Sequence, residues 1–324
     1  MGDPAGCGPQ ITATAWNQKH KNSNAPFAVI ADPLVFDDLC PIQTINRPAD
    51  AANVFSSALP VIALPNSLPS RPVAGQPDTA NAPGIIASIE IATQYCLDGQ
   101  AAAMVTNPIS KAVLYEAGFA HPGHTEFIAE LCADAGGQSQ PPVMMLVGGG
   151  LRVALATIHI PLINVAETLT SDLLHQTASI VHTALQRDFG IAAPRIAFTG
   201  LNPHAGEDGT IGREEVETIN PAAEMLRGQG IDVSNARPAD TVFHEALQGD
   251  FDSVIAMTHD QGLIPVKTLD MWGGVNTTLG LPIIRTSPDH GTAFDAAARK
   301  ACRPDSLLAA LDLAEAMATN RGMA

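Results

Sequence analysis

Aromatic side chains are scarce in this sequence, at 4% of 324 residues. Ala, Leu, Ile and Val must therefore supply most of any packed core, and the 46% hydrophobic content is enough to fill one. Basic residues are also few, with 17 Lys and Arg against 33 Asp and Glu, which gives a formal net charge of −16. Such a surface repels nucleic acid and anionic membranes, whose phosphates are held by many Lys and Arg contacts. No apolar run approaches the length needed to span a bilayer, and no charged-then-apolar leader opens the chain, so a cytoplasmic protein is expected. The five cysteines (Cys7, Cys40, Cys96, Cys132 and Cys302) are odd in number, scattered and without paired spacing. In a leaderless chain they read as reduced thiols and small core residues.

What is present is an alternation of short apolar runs with longer amphipathic ones, without a repeat period. That pattern predicts an α/β fold with a mostly parallel sheet and crossover helices. Strands are expected at Phe27–Asp32, Ala102–Thr106, Arg195–Thr199, Ser253–Met257 and Pro282–Thr286. Val143–Val147 and Arg152–Thr157 flank three glycines, Gly148 to Gly150, and predict an antiparallel hairpin. Helices are expected at Gly84–Leu97, Thr125–Ala135, Asp172–Arg187, Glu214–Arg227 and Ser306–Met317, with Ser171 as the cap of the third. Pro65–Pro83, rich in Pro, Ser, Asn and Gly, reads as a loop.

Polar residues cluster where the expected strands end, the edge at which open α/β sheets place their ligands. His159, His204 and His259 each follow a strand-like run closely, so their imidazoles are candidates to converge on one divalent cation. A lone histidine is more often structural or merely exposed; His20, His175, His182 and His244 are weaker candidates, and solvent exposure accounts for His175 and His182 on one expected helix. Three imidazoles suit Zn²⁺, Co²⁺ or Ni²⁺ better than Mg²⁺. With an open position, such an ion acts as a Lewis acid on a substrate oxygen. In a chain so poor in cations, Lys267 and Arg285 bracketing the Asn276-Thr277-Thr278 turn are candidates to capture an anion such as a phosphate ester. The opening Gly2-Asp3-Pro4-Ala5-Gly6-Cys7-Gly8 is not a Walker A loop and only loosely resembles a dinucleotide fingerprint.

Several of these segments, in order along the chain, resemble the 4-hydroxythreonine-4-phosphate dehydrogenase family of pyridoxal phosphate biosynthesis. They are Met1 to Gly6, Thr106-Asn107-Pro108-Ile109-Ser110-Lys111, Gly123-His124-Thr125-Glu126, Gly200 to Glu207, His259-Asp260-Gln261-Gly262, and Val275 through Ala293.

The resemblance implies an isocitrate/isopropylmalate dehydrogenase-like fold of two α/β subdomains with the active site in a central cleft, and a homodimer. The subdomains are expected at about residues 1–118 plus 282–324 and at about 119–281. It implies metal ligation by His159, His204 and His259, partly across the dimer interface, by one zinc, cobalt or magnesium ion per site. It implies substrate contacts at His124, Thr125, Lys267, Asn276 and Arg285. His290, Gly291 and Asp295 are implied as contacts to NAD or NADP, Asp295 favouring NAD. Asp260 is a candidate general base, with a metal-bound water as the alternative. The implied reaction oxidises 4-phosphooxy-L-threonine to 2-amino-3-oxo-4-phosphooxybutanoate, which decarboxylates to 3-amino-2-oxopropyl phosphate. The alternatives are a related dehydrogenase of phosphorylated threonate or erythronate, or of a cis-dihydrodiol, and a non-catalytic metal- and anion-binding module.

The sequence departs from the family pattern at Cys7, Gln10, Thr258, Met271, Trp272 and Pro288. A strand is expected ahead of the Gly-Asp-Pro motif, and without it a neighbouring strand edge would lie unpaired.

Overall fold

A computed structural model describes residues 1–21, 25–135 and 140–323. Among the described residues the strands are β1 Val29–Ala31, β2 Ile42–Ile45, β3 Leu59–Ala63, β4 Met104–Val105, β5 Val143–Gly148, β6 Leu151–Leu155, β7 Arg195–Thr199, β8 Asp232–Arg237, β9 Ser253–Ala256, β10 Val275–Leu279 and β11 Arg285–Pro288. The chain divides into two units, Met1–Ser139 with Leu281–Ala324, and Gln140–Gly280. The boundary expected near residue 119 falls later. Ile128 and Cys132 of the His124–Asp134 helix are buried with Ile85, Ile89 and Ile283, and that shared core holds the helix in the first unit.

In the second unit the strand order is β10-β5-β6-β9-β7-β8. β5 and β6 form the expected antiparallel hairpin. Gly149 and Gly150 turn it with φ of 58° and 86°, a left-handed pair that side chains with a Cβ resist. β6, β9, β7 and β8 then run parallel. Period-two alternation along β7 buries Ile196 and Phe198 beside Leu174, Val181 and Leu226 on one face. Ala197 meets Val242 and Val254 on the other. Each face is thus covered by helices, as an all-parallel segment requires.

In the first unit β1, β3 and β2 pair in parallel, as do β4 and β11. β1 and β4 are edge strands, and Val29, Ile30, Met104 and Val105 line a groove of about 640 Å³. Among the described residues no helix is long and apolar enough to cross a membrane.

Several expectations need correction. The glycine-rich opening leads directly into a helix, Gly8–Lys19, with Pro9 in its first turn where no N–H is needed. The Ser171–Arg187 helix is capped by Thr170, whose side chain accepts from the Leu173 N–H, and not by Ser171. The expected Glu214–Arg227 helix begins as a π-helical turn over Glu215–Ile219 and becomes α-helical at Asn220–Gly228. The reading of five reduced cysteines is also wrong, because Cys7 and Cys302 form a disulfide across 295 residues of sequence. The first helix packs Cys7, Ile11 and Ala15 against Ala297 and Leu307, and this long-range packing, invisible in spacing, brings the two thiols together. Cys40, Cys96 and Cys132 are free thiols, and burial pushes that of Cys96 up to about 12.

Candidate functional site

The sheet order of the second unit puts the three histidine-bearing strand ends side by side. His159 follows β6, His259 follows β9 and His204 follows β7, with β9 between the other two. Hydroxyl and amide side chains lace these ends together. Thr157 Oγ1 donates to the Met257 carbonyl at 2.6 Å. Thr199 Oγ1 accepts from the Met257 N–H and donates to Gln261 Oε1 at 3.1 Å. Gln261 Nε2 donates in turn to the Gly200 carbonyl at 2.9 Å.

Gln261 and Thr258 also form a capping box at the start of the His259–Leu269 helix. Thr258, a departure from the family pattern, therefore has a structural role. The His159 and His259 rings stand 5.5 Å apart between centroids, inclined at 47°. His259 Nδ1 is 2.8 Å from Asp260 Oδ1, which leaves Nε2 available to a ligand. Asp260 is itself largely exposed.

His204 lies on an unusual turn. His204, Ala205, Gly206, Glu207 and Asp208 all have positive φ, between 41° and 76°. Each non-glycine residue held there costs on the order of 1–2 kcal/mol, so neighbouring groups must hold the turn. Among the described residues of one chain, no group of three His, Cys, Asp or Glu side chains gathers as a metal site. The structure brings His159 and His259 together and does not bring His204 to them within the chain.

The remaining candidates of this unit are Lys267 and Asn276. Lys267 is half-buried in the last turn of the His259–Leu269 helix. Asn276 lies on β10, paired in register with Leu146. Of the weaker histidine candidates, His175 bonds Gln229 Oε1 at 2.8 Å and His20 stacks on Trp16.

The first unit carries a second cluster. Arg285 opens β11 and is buried, with Nε and Nη2 donating to Thr106 Oγ1 at 3.2 and 2.9 Å. Burial lowers its guanidinium to about 10, and the charge of Glu126 opposes that shift. His124 and Thr125 form the first turn of the His124–Asp134 helix, whose leading N–H groups favour anions. Burial first, then the positive charges of Arg285 and the amino terminus, hold His124 well below the usual imidazole range. At neutral pH it is an uncharged ring, and its buried Nε2 has no hydrogen-bond partner among the described residues.

Two of the recognised motifs meet in this unit. The Asp3 N–H donates to the Pro108 carbonyl, and a Cβ on Gly2 would strike Asn107. Sequence reasoning assigned no role to Thr106, the partner of Arg285, although it opens one of those motifs.

His290, Gly291 and Asp295 are exposed around the start of the short Phe294–Ala298 helix. The segment is anchored by the Cys7 N–H on the Thr292 carbonyl and by Gln10 Nε2 on the Ala297 carbonyl.

A mostly parallel sheet with polar side chains at its strand ends in the second unit, and a buried Arg285 bonded to Thr106 in the first, define an α/β protein of the kind that takes small charged ligands at strand ends. The family model described as pyridoxal phosphate biosynthetic protein PdxA matches residues 23–314. A 4-hydroxythreonine-4-phosphate dehydrogenase of Maricaulis maris is 51% identical, with 99% of this chain and 97% of the relative covered. That of Caulobacter vibrioides is 49% identical over 99% and 97%. Among solved structures, the 4-hydroxythreonine-4-phosphate dehydrogenase of Klebsiella pneumoniae matches with 36% identity, a TM-score of 0.85 and 98% of both chains. A terephthalate 1,2-cis-dihydrodiol dehydrogenase of Burkholderia xenovorans matches with 29% identity and a TM-score of 0.66, over 97% of this chain and 96% of its own. The chain belongs to the PdxA family, the 4-hydroxythreonine-4-phosphate dehydrogenases of pyridoxal phosphate biosynthesis.

Proposed function

We propose that this chain oxidises 4-phosphooxy-L-threonine with NAD or NADP, using one divalent cation per site. The observation that carries the reading is the pairing of His159 and His259 at adjacent parallel strand ends. An imidazole ligating zinc at about 2.0–2.1 Å has its centroid about 3.2 Å from the ion, so two at a tetrahedral angle have centroids about 5.2 Å apart. The observed 5.5 Å fits that requirement. Two imidazoles are fewer than a resident ion needs, and His204 is the third ligand by family resemblance. By the same resemblance, the ligand set is completed across the interface of a homodimer.

When bound, the cation supplies Lewis acidity to the substrate hydroxyl, and the nicotinamide supplies the hydride acceptor. The chain's own groups bind and orient. Arg285 offers a charge already desolvated and braced by Thr106, which suits the phosphate ester. Neutral His124 donates or accepts a hydrogen bond without adding charge. Thr125, Lys267 and Asn276 are the further substrate contacts by resemblance, and His290, Gly291 and Asp295 those to the dinucleotide. Asp260, bonded to His259 Nδ1, fixes the tautomer and direction of a ligand ring.

The test is NAD(P)H formation from 4-phosphooxy-L-threonine before and after metal removal, with phosphorylated threonate, phosphorylated erythronate and a cis-dihydrodiol as competing substrates. Undiminished turnover by metal-free protein defeats the metal assignment. Faster turnover of a competitor defeats the substrate assignment.

A further inference from the structure

We infer that Glu215 is the positioning residue for His204, acting through the left-handed turn on which His204 sits. The inference rests on the reading of His204 as a metal ligand and adds the group that presents it.

Glu215 is only 1% exposed. Its Oε1 accepts from the Leu201 N–H at 2.8 Å and the Asn202 N–H at 2.7 Å, and its Oε2 accepts from Asn202 Nδ2 at 3.0 Å. A buried carboxylate is an acceptor only, and here three N–H donors converge on it from the two residues that lead into the turn. The turn folds back over the same carboxylate. A Cβ placed on Gly206 would lie 2.6 Å from Glu215 Oε2, and one on Gly200 would lie 3.2 Å from Oε1 and 2.7 Å from the Ala205 backbone. The segment on both sides of His204 is therefore wrapped around one side chain.

The helix that carries Glu215 is anchored independently, since Ile219, Ala222 and Leu226 are fully buried in the main core of the unit. Opposite it, Gln261 ties Gly200 to the cap of the helix that begins at His259. Glu215 thus fixes the outer limb of the turn and Gln261 its root. Glu214 bonds Asn202 Nδ2 as well, at 2.6 Å, and supports the same residue from the exposed side.

The experiment compares Glu215→Ala, Glu215→Gln, Glu215→Asp and His204→Ala as full-length proteins. Co²⁺ affinity is measured by calorimetry, the Co²⁺ absorption bands by spectroscopy, and amide exchange over residues 200–212 by mass spectrometry. Loss of a group that orients a ligand weakens metal binding by roughly 10–100-fold. Glu215→Ala is expected to lose that much, to shift the Co²⁺ bands and to speed exchange at Leu201 and Asn202. Glu215→Gln keeps one oxygen for those two amides and is expected to recover most of the affinity. Should the alanine variant fail to fold, Glu215→Asp, with its acceptor withdrawn by one methylene, carries the same expectation in milder form. If His204→Ala binds Co²⁺ as tightly as the parent, the ligand reading of His204 fails. If His204→Ala loses the metal while the Glu215 variants keep parental affinity and bands, the positioning role of Glu215 is overturned.

Discussion

The imidazole rings of His159 and His259 face one another 5.5 Å apart, and the second is held at Nδ1 by its neighbour Asp260. A carboxylate on the far nitrogen of a ligating imidazole sets the tautomer and raises the basicity of the ring. Asp260→Asn keeps the shape and a carbonyl acceptor but removes the charge. Metal affinity is expected to fall by roughly 10–100-fold, while at saturating metal the pH dependence of kcat keeps its limbs. A collapse of kcat at saturating metal, with affinity unchanged, would instead make Asp260 the general base.

Arg285 makes a sharper case, because it is buried and bonded to Thr106. Its removal takes away a charged hydrogen-bond donor set without exposing a new surface charge. Arg285→Ala is expected to weaken substrate binding by about 1.5–3 kcal/mol, read as a rise in KM of roughly 10–100-fold. Arg285→Lys keeps a charge but not the planar fork and is expected to recover only part of the loss. The same range is expected of Lys267→Ala. Steady-state kinetics check all three, and an unchanged KM in either alanine variant removes that residue from the phosphate site.

His124 gives a pH dependence with a definite sign. In the folded protein it stays neutral well below 6.5, whereas in the unfolded chain it takes a proton near that value. Between those two limits the unfolded state binds more protons, so stability rises with pH there and is lost as pH falls below about 6.5. The slope from one such group reaches about 1.4 kcal/mol per pH unit. The amino terminus, lowered from 8.0 to about 5 by burial, acts with the same sign over a higher range. His124→Gln separates the two. Between pH 6.5 and 5 its unfolding free energy should fall less steeply than that of the parent, by denaturant titration at each pH. Parallel curves would show that His124 titrates normally.

Local patterning made much of the second unit readable. Arg195–Thr199, a short apolar run bounded by polar residues, is observed as the expected strand, and the triple glycine located the β5–β6 turn. Three histidines were expected at strand ends, and the adjacency of β6, β9 and β7 puts those strand ends side by side. Other features were hidden for identifiable reasons. The helix from His259 was not among those expected, because Pro265 in its interior argues against a helix; in the structure a Thr258–Gln261 capping box starts it. The roles of Glu215 and Gln261 depend on contacts between segments distant in sequence, and residue type alone does not distinguish them from surface polar groups. Thr106 is similar, since only β4–β11 pairing sets it against Arg285.

The disulfide is the strongest case of a contact that spacing conceals, and it has a measurable consequence. Cys7 and Cys302 close nearly the whole chain into a loop and tie the start of the Gly8–Lys19 helix to the segment just after Phe294–Ala298. A cross-link restricts the unfolded chain most when the loop is long, and a native one is worth on the order of 2–5 kcal/mol. Cys302→Ser is expected to lower unfolding free energy by that amount under oxidising conditions and by little in excess dithiothreitol, where the parent is reduced too. Non-reducing peptide mapping should find the Cys7 and Cys302 peptides linked in the parent and Cys40, Cys96 and Cys132 open to alkylation after unfolding. Equal stability of parent and variant without reductant would mean that the bond contributes nothing to the fold. Because the Cys7 N–H also holds the Thr292 carbonyl, the variant should in addition show faster amide exchange at Cys7.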